Sequence, residues 1–401
     1  MRPLKALVSL DDALRMLIDL ATPISRAEGV ALLDALHRIA SKDVVSKIDV
    51  PLVDRAAMDG YAVRAPDTFR AGKFKPAVLK RLETLYADSV PTKAVAKGTC
   101  VEVATGSTLP KGADAVVIVE DTEREGDAVH VYSPVHPGEN VSPQGEDIRR
   151  GDIVVRAGEF LTPAKVGAIA AVGEKDVEVY AKPQVAILTT GDEVIPPGRK
   201  IRPGQVYDIN AHTMASVVRE VGGEPILLGR VPDRLADLRA AITRATRYDL
   251  VVFSGGSSVG EKDMIVDILQ EMGTLKFHGV AVKPGKPTVL GVVNAKVVLG
   301  MPGYPTSCLS NCYMMLVPML QVMARLPAAP EKVIELPLSK RLVSTIGRVE
   351  FHTVRVEDGL AVPAYKESGA ITSMAHADGY IEIPANTDLI EKGERVRVVL
   401  F

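Results

Sequence analysis

Four carboxylates and two lysines stand in separate loops of the second half of the chain, where together they could bind a metal and a phosphate. They are Asp192, Glu193, Asp233, Asp263, Lys283 and Lys286. Carboxylates offered from several loops suit Mg²⁺, which takes one or two of them and completes its shell with water and substrate phosphates. Lysines on a proline-bounded loop would hold a phosphate or another oxyanion. The alternative is that these charges are merely solvated, as isolated surface charges usually are.

A glycine-rich loop between Ser254 and Asp263 is the strongest single candidate for a phosphate site. It follows an apolar run, Leu250 to Phe253, and precedes a helical pattern that begins at Met264. Its small residues are Ser254, Gly255, Gly256, Ser257, Ser258 and Gly260. Backbone N–H groups at the start of a helix favour an anion, and Asp263 would add a metal ligand. The alternative is a tight strand–helix turn, the commoner meaning of a single glycine-rich loop.

The elements that must position these residues alternate between strands and helices from Pro183 to Leu326. This pattern is typical of a parallel sheet with helices on its faces, and such sheets bind ligands outside the carboxyl ends of their strands. Five loops follow predicted strands and carry acids, glycines or lysines: Thr190 to Glu193, Pro232 to Asp233, Ser254 to Asp263, Lys283 to Pro287, and Met301 to Pro305. We therefore expect one site at this edge of the sheet.

The rest of the chain is predicted to be rich in β-structure. Residues from 51 to about 140 form short β-like runs broken by Gly and Pro, which is typical of a small β-rich module. Residues after about 331 alternate apolar and polar side chains, which predicts a small β-barrel or sandwich. The fold class is therefore α/β plus β, with several domains.

Composition and charge exclude several classes of partner. The chain has 401 residues, of which 47% are hydrophobic, and a formal net charge of −2, so we expect no general attraction to nucleic acid or membrane. No apolar run reaches the roughly 18 residues of a membrane span, and the N-terminus lacks a signal-peptide pattern. Three cysteines cannot form an even disulfide framework, and Cys308 and Cys312 are expected to be buried packing residues. We expect an intracellular, cytoplasmic protein.

Several short motifs follow one another in an order that is highly specific. They are Ala57-Met58-Asp59-Gly60-Tyr61-Ala62, Thr105-Gly106, Gly112 to Val117, Gly145-Glu146-Asp147-Ile148, Thr190-Gly191-Asp192-Glu193, Asp208 with Asn210, Ser254 to Asp263, Lys283 to Pro287, and Pro302 to Ser307. Over almost the whole chain they resemble the MoeA family of molybdopterin molybdenumtransferases, which includes the E domain of gephyrin.

The resemblance implies an activity and an architecture. Members insert molybdate into the dithiolene of adenylylated molybdopterin with Mg²⁺-dependent release of AMP, and they form homodimers of four-domain subunits. Residues 1–50 and 145–182 would form a discontinuous N-terminal linker and dimerisation domain, and 51–144 a β-rich domain. Residues 183–328 would form a molybdopterin-binding α/β domain with a parallel sheet, and 329–401 a C-terminal β-barrel. A separate molybdopterin adenylyltransferase would supply the substrate, because no such domain is fused to this chain.

The resemblance also assigns roles to individual residues. The catalytic set would be Asp59, Thr105, Asp147, Glu193, Asp233 and Asp263, with Mg²⁺ held by the last three. In a dimer, Asp59, Thr105 and Asp147 of one copy would meet the α/β domain of the other. The substrate-binding set would be Thr190, Gly191, Asp192, Asp208, Asn210, Ser254, Gly255, Gly256, Ser257, Ser258, Gly260, Lys283, Gly285, Lys286, Pro302, Gly303, Pro305 and Ser307.

The sequence is also compatible with three rival functions. The first is a tungsten-inserting paralogue, because tungstate and molybdate are nearly equal in size and charge. The second is a non-catalytic molybdopterin-binding scaffold, which the retained acids and lysines argue against. The third is a nucleotide pyrophosphatase on a similar fold, which would not need the motifs around Asp59 and Asp147.

Overall fold

The structure, a computed structural model, describes residues 7–255, 264–328, 332–364 and 369–401. The chain divides into two compact units. The first unit comprises Met1–Glu28, His37–Ile39 and Tyr180–Phe401, and the second unit comprises Gly29–Leu36 and Ala40–Val179. In sequence, the second unit therefore lies between two parts of the first and is interrupted once by His37–Ile39. The predicted division into four domains is finer than this and remains a prediction.

A six-stranded mixed sheet forms the centre of the first unit. Its strands are β1 (Gln184–Thr190), β2 (Glu224–Val231), β3 (Leu250–Ser254), β4 (Gly273–His278), β5 (Val289–Val293) and β6 (Lys296–Met301). Their order across the sheet is β2-β1-β3-β6-β5-β4. The strands β2, β1, β3 and β6 pair in parallel, as predicted, whereas β6, β5 and β4 pair antiparallel.

The prediction of a wholly parallel sheet is wrong for the strands β5 and β4. The turn between β5 and β6 explains the change of direction. Only Asn294 and Ala295 separate the two strands, and their φ angles are 50° and 59°. Two residues with positive φ form the tight turn that reverses a chain into an antiparallel hairpin. A parallel connection would need about a dozen residues or more.

Helices pack on both faces of this sheet. The helices of the first unit are Leu10–Leu20, Asn210–Glu220, Leu235–Ala245, Met264–Met272, Pro305–Asn311, Val317–Met323 and Thr372–Ala375. Side chains alternate between the faces of a strand, and β1 shows this directly. Val185 and Ile187 belong to one buried core, whereas Ala186 and Leu188 belong to the other. A strand that is covered on both faces reads as a continuous apolar run, which is why β1 was predictable.

The predicted long helix after β6 is interrupted by a π-helical turn. Pro305–Asn311 is followed by the π segment Cys312–Leu316 and then by Val317–Met323. Pro318 has no N–H to donate, so a regular α-helical hydrogen bond cannot form at that position. A π segment is one way in which a helix absorbs such an interruption.

The C-terminal part of the first unit is a largely antiparallel sheet. Its strands are Val333–Pro337, Val349–Glu357, Leu360–Pro363, Gly379–Ile383 and Arg395–Leu400, beside a separate pair, Leu342–Val343 and Leu389–Ile390. A short strand, Val282–Lys283, joins this sheet parallel to Val349–Glu357. The strand predicted just before the Lys283–Pro287 loop therefore does not belong to the α/β sheet. One bridge connects Leu338 with Ala361, and the closed barrel remains a prediction.

A six-stranded sheet dominates the second unit, in agreement with the predicted β-rich character of residues 51 to about 140. In order across the sheet, its strands are Ala115–Ile118, Gly60–Val63, Thr99–Val103, Ala77–Leu85, Ala128–Val131 and Thr122–Glu125. The shorter elements are Ala27–Ala31, Val44–Val45, Arg55–Ala56, Val141–Ser142, Ile153–Val155 and Asp176–Tyr180. The helix Pro163–Ala171 begins after Thr162, whose hydroxyl accepts a hydrogen bond from Lys165 N–H.

Two further sequence expectations can be compared with the structure. Cys308 and Cys312 are buried free thiols, which confirms their prediction as packing residues. Among the described residues, the helices all fall short of the length and apolar character needed to cross a bilayer.

Candidate functional site

A cavity of about 890 Å³ lies in the first unit, at the carboxyl ends of β1, β2, β3 and β6. Many of the predicted site residues line it: Thr190, Gly191, Glu193, Asp208, Asn210, Asp233, Ser254, Gly255, Pro302, Gly303, Pro305 and Ser307. With Pro287 of the lysine loop, which also lines the cavity, the structure brings together residues from all five loops that the sequence singled out. Their chemical roles remain predictions.

Other predicted residues lie elsewhere. Asp192, Lys283, Gly285 and Lys286 are not among the residues that line the cavity. Gly256, Ser257, Ser258, Gly260 and Asp263 lie outside the described residues. The predicted phosphate loop can therefore be followed only from Ser254 to Gly255, where the backbone of Gly255 has a φ of 94°.

Three carboxylates line the cavity, Glu193, Asp208 and Asp233, and the charge of Glu193 acts on Asp233. Burial raises the pKa of Asp233, and the negative charges of Asp192 and Glu193 raise it further. The hydroxyl of Thr190 lies close enough to lower this pKa in part. Even so, neither Asp233 Oδ1 nor Thr190 Oγ1 has a hydrogen-bond partner of normal geometry among the described residues, although both atoms are buried. The negative charge at Asp233 and Glu193 is therefore not fully neutralised by the described residues.

The turn after β1 determines where Glu193 lies. Gly191 has a φ of 124°, a conformation that favours glycine. A Cβ atom added there would lie 2.7 Å from Glu193 Oε1, so the carboxylate folds directly over this glycine. Arg230, on β2, donates hydrogen bonds of 3.1 Å from Nη1 to Gly191 O and to Asp192 Oδ1. The arginine thus ties the turn after β1 to the neighbouring strand.

These residues fit a magnesium ion. The described residues contain no cluster of three or more His, Cys, Asp or Glu side chains arranged around a metal, but Mg²⁺ needs only one or two protein carboxylates. Asp233 supplies a buried oxygen without a partner and Glu193 a nearby carboxylate. A cation would relieve the charge repulsion that raises the pKa of Asp233. The third predicted ligand, Asp263, lies outside the described residues.

A hydrogen-bond network joins the loops at the other side of the cavity. Asn210 Nδ2 donates to Ser254 Oγ at 2.7 Å and to Gly303 O at 2.8 Å. Ser254 Oγ in turn donates to Pro302 O at 3.0 Å. Asn210 Oδ1 is buried and has no partner among the described residues, so it can accept a hydrogen bond from a ligand.

Asp208, which is predicted to bind substrate, also stabilises the local structure through two hydrogen bonds. Its Oδ1 accepts a hydrogen bond from Ala211 N–H at 3.0 Å at the start of the helix Asn210–Glu220. Its Oδ2 accepts another from Thr189 Oγ1 at 2.7 Å. Both carboxylate oxygens are therefore engaged, and Asp208 fixes the helix that carries Asn210.

The lysine loop is held by the C-terminal sheet. Lys283 Nζ lies 2.8 Å from Glu350 Oε1 and donates a second bond of 2.8 Å to Thr345 Oγ1. Burial tends to raise the pKa of Glu350, but its bonds with Lys283 and Thr345 hold that pKa below its ordinary value. The expectation that this loop follows a strand of the α/β sheet is wrong, because Val282–Lys283 pairs with residues much later in the chain.

The second unit brings two of its three predicted catalytic residues together. Asp59 Oδ1 accepts hydrogen bonds from Thr105 N–H at 2.6 Å and from Thr105 Oγ1 at 2.8 Å. These bonds lower the pKa of Asp59. Asp147 lies on another loop, where its N–H donates to Val50 O. The predicted meeting of these residues with Glu193 and Asp233 across two copies of the chain remains a prediction.

Sequence reasoning missed part of the cavity wall. The further lining residues are Thr189, Val194, Val206, Tyr207, Ile209, Met264, Pro287, Tyr304 and Gly369. Most are apolar and give no chemical signal in a sequence. Several of them could have been predicted. Tyr207 and Ile209 adjoin Asp208, and Pro287 and Tyr304 lie inside loops that were already candidates.

Comparison with known families covers nearly the whole chain. The description "MoeA N-terminal region (domain I and II)" matches residues 8–173. "Probable molybdopterin binding domain" matches residues 186–322, which hold the mixed sheet and most of the cavity wall. "MoeA C-terminal region (domain IV)" matches residues 335–401.

Individual relatives agree with these matches. A putative molybdopterin biosynthesis protein of Methanocaldococcus jannaschii is 34% identical over 94% of this chain and 92% of its own length. The molybdopterin molybdenumtransferase of Bacillus subtilis is 31% identical over 93% of this chain and 90% of its own length. That of Haemophilus influenzae is 33% identical over 78% of this chain and 77% of its own length.

Solved structures match equally well. A crystal structure of a molybdopterin biosynthesis MoeA protein from Pyrococcus horikoshii has a TM-score of 0.85 and 41% sequence identity. That match covers 98% of this chain and 99% of the other. A second MoeA structure from the same organism has a TM-score of 0.83 and 34% identity, covering 99% of this chain and all of the other.

Proposed function

Because the chain belongs to the MoeA family, we propose that it is a molybdopterin molybdenumtransferase. It takes adenylylated molybdopterin and molybdate, places the metal in the dithiolene, and releases AMP. The observation that carries this proposal is the buried, uncompensated carboxylate of Asp233 beside Glu193, in a cavity at the carboxyl ends of the sheet. Such a pocket suits a ligand with a phosphate anhydride and a divalent metal.

In this proposal, Glu193 and Asp233 hold Mg²⁺, and Asp263 is the third candidate ligand. When bound, the ion supplies charge neutralisation on the phosphate oxygens as AMP leaves. Asn210 accepts a hydrogen bond from the substrate through its free Oδ1, while its Nδ2 keeps two loops in place. Holding the substrate in one position against fixed donors and acceptors is the main contribution of the chain.

We assign the lysine loop to the oxyanion with one qualification. Lys283 already donates two of its three N–H bonds to Glu350 and Thr345. One N–H therefore remains for molybdate, tungstate or a phosphate. Lys286 is the second candidate on the same loop.

The proposed working form is a homodimer, in which Asp59, Thr105 and Asp147 of one copy act with the cavity of the other. The hydrogen bonds from Thr105 keep Asp59 ionised and oriented, which supports a functional role for this exposed pair. A separate molybdopterin adenylyltransferase supplies the substrate. We place the protein in the cytoplasm, where such a supply would meet it.

A reconstituted reaction tests the proposal. Purified protein is incubated with adenylylated molybdopterin, Mg²⁺, and either molybdate or tungstate, and both AMP release and retained metal are measured. AMP release with molybdenum capture is the expected result. Preferential capture of tungsten would make the chain a tungsten-inserting paralogue.

Two other outcomes would contradict the proposal. AMP release without metal capture would identify a pyrophosphatase. Absence of both, with substrate still bound, would identify a scaffold. Omitting Mg²⁺ is the control for the metal requirement.

A further inference from the structure

Tyr304 stands out among the residues that line the cavity. Its side chain lines the cavity and is 66% exposed, although most large apolar groups of this chain are buried. The chain has no tryptophan, and only 4% of its residues are aromatic. Two aromatic rings are among the residues that line the cavity, and Tyr304 is more exposed than Tyr207, which is 39% exposed. An exposed aromatic face next to a ligand cavity is suited to stacking.

The backbone that carries Tyr304 is fixed on both sides. The two carbonyls before it, at Pro302 and Gly303, accept hydrogen bonds from Ser254 and Asn210. The carbonyl of Tyr304 itself accepts the first helical bond, from Cys308 N–H at 2.9 Å. Pro305 follows directly and fixes its own φ angle. The backbone that carries the ring is thus already ordered, so a ligand that binds there has to order only the side chain.

The position of Tyr304 in the sheet matches a long ligand. Asp233 follows β2 and Tyr304 follows β6, and the strand order is β2-β1-β3-β6. Three strand spacings of about 4.8 Å put the two loops roughly 14 Å apart along the sheet edge. A ligand whose phosphates lie at Asp233 would therefore bring a ring, and not another phosphate, to Tyr304.

We propose that Tyr304 is a stacking platform for a flat heteroaromatic ring of the ligand, either adenine or a pterin. The inference deepens the proposed function and rests on it, since it adds the part of the site that recognises the ring. Stacking of a base on an aromatic side chain contributes about 1–3 kcal/mol by alanine substitution. Replacing Tyr304 by Ala should therefore weaken ring binding by about 5- to 150-fold.

The absence of tryptophan provides a direct test. Tyr304→Trp creates a single tryptophan at the proposed platform, whose fluorescence reports a ring that stacks on it. The matched control is Phe74→Trp, at a position in the second unit where the side chain is 98% exposed. The probes are AMP, a pterin without phosphate, and ribose 5-phosphate, which has no aromatic ring.

We expect AMP or the pterin to quench the tryptophan of Tyr304→Trp in a saturable way, and ribose 5-phosphate to leave it unchanged. Phe74→Trp should respond to none of them. The probe that quenches identifies the ring as adenine or as pterin. Equal responses of the two variants, or quenching by ribose 5-phosphate, would overturn the proposal.

Calorimetric titration of variants without a tryptophan measures the affinity for the same probes independently. Tyr304→Ala should lose affinity for the quenching probe, whereas Tyr304→Phe, which keeps the ring, should retain most of it. Unchanged affinity of Tyr304→Ala would also overturn the proposal. Failure of the proposed function would look different, because the wild-type protein would then release no AMP from adenylylated molybdopterin while ring binding stayed measurable.

Discussion

Asp233 is placed where an ionised carboxylate is unfavourable in the absence of a ligand. Its Oδ1 is buried and unpartnered among the described residues, and Asp192 and Glu193 add negative charge nearby. An arrangement of this kind costs folding stability and is retained where a bound cation compensates for it. The same residue should therefore matter greatly for activity and little for stability.

Replacing Asp233 by Asn should lower the rate of AMP release by about 100-fold or more, because a metal's charge stabilisation is worth several kcal/mol. The melting temperature without Mg²⁺ should stay the same or rise, since a destabilising charge is removed. Initial rates and thermal unfolding measure the two effects. Asp237→Asn, in the following helix, is the control. A variant with wild-type rate at all Mg²⁺ concentrations would remove Asp233 from the metal site.

Arg230 acts on the same acids without belonging to the cavity wall. Because it holds Gly191 and Asp192, and through that turn Glu193, it should position the metal ligand. Arg230→Met should weaken Mg²⁺ binding by about 10- to 100-fold, the usual effect of losing a group that orients a ligand. The maximal rate at saturating Mg²⁺ should change much less.

Calorimetric titration with Mg²⁺ and rates measured at several Mg²⁺ concentrations distinguish these quantities. Arg239→Met, which removes an exposed arginine paired with Glu271, is the matched control. A fall in maximal rate with unchanged Mg²⁺ affinity would argue against positioning.

At the scale of elements, a buried carboxylate attaches the N-terminal segment to the sheet. Arg26 donates two hydrogen bonds of 2.8 Å to the carboxylate of Asp249, which directly precedes β3. Gln184 N–H, at the start of β1, donates a third. Burial tends to raise the pKa of Asp249, but the bonds from Arg26 and Gln184 outweigh it and lower the pKa below 3.8.

The free energy of unfolding should therefore fall as the pH is lowered into the acidic range. A carboxylate whose pKa is lower in the folded state stabilises the fold above its ordinary value of 3.8, and the stabilisation disappears as the pH falls through the lower folded value. Asp249→Asn should lower the free energy of unfolding by about 1–3 kcal/mol at neutral pH. Urea unfolding should show this difference shrinking as the pH approaches about 3. Asp127→Asn, in an exposed pair with Arg81, is the control; a pH-independent difference for Asp249→Asn would contradict the assignment.

The lysine loop depends on one glycine. Gly285 has a φ of 110°, and a Cβ atom there would lie 2.2 Å from Asn311 Oδ1. Asn311 also donates to Gly285 O and to Thr288 Oγ1, so it cannot move away without breaking both bonds. The loop is thus fixed between the helix Pro305–Asn311, which carries Asn311, and the C-terminal sheet, which holds Lys283.

Gly285→Ala should lower the free energy of unfolding by about 2–4 kcal/mol, the sum of a left-handed backbone penalty and an overpacked contact. Gly347→Ala is the matched control, because Gly347 also has a positive φ but has no atom within 4 Å of an added Cβ. Thermal and urea unfolding should give the larger loss for Gly285→Ala. Equal losses would show that the contact with Asn311 does not matter.

At the scale of the whole molecule, the proposed dimer can be tested by complementation. Asp59→Asn and Asp233→Asn are each expected to be inactive alone. If one site uses both residues but from different copies, mixed dimers contain one intact site, and AMP release should partly return after the variants are unfolded and refolded together. The control is a mixture of Asp233→Asn with Glu193→Asn, which affects the same side of the site. No recovery in the first mixture would contradict a shared site.

The spacing of apolar side chains predicted individual helices and strands. It could not predict which residues far apart in the sequence pair with each other. The helix that begins at Met264 and the buried strand β3 follow from side-chain spacing alone, and the acids at the ends of β1 and β2 were recognisable as a site. The pairing of Lys283 with Glu350 was not, because 67 residues separate the two and neither has a local signature. Apolar parts of the cavity wall such as Val194, Val206 and Met264 were missed, because apolar side chains there carry no chemical signal in a sequence.

The position of the second unit between two parts of the first has a consequence for synthesis on the ribosome. The helix Leu10–Leu20 buries Leu10, Ala13 and Leu17 in a core shared with the helices beyond residue 304. The second unit, which ends at Val179, is translated in full before those partners exist. The nascent chain therefore carries this amphipathic helix with its apolar face uncovered until the residues that pack against that face have been synthesised.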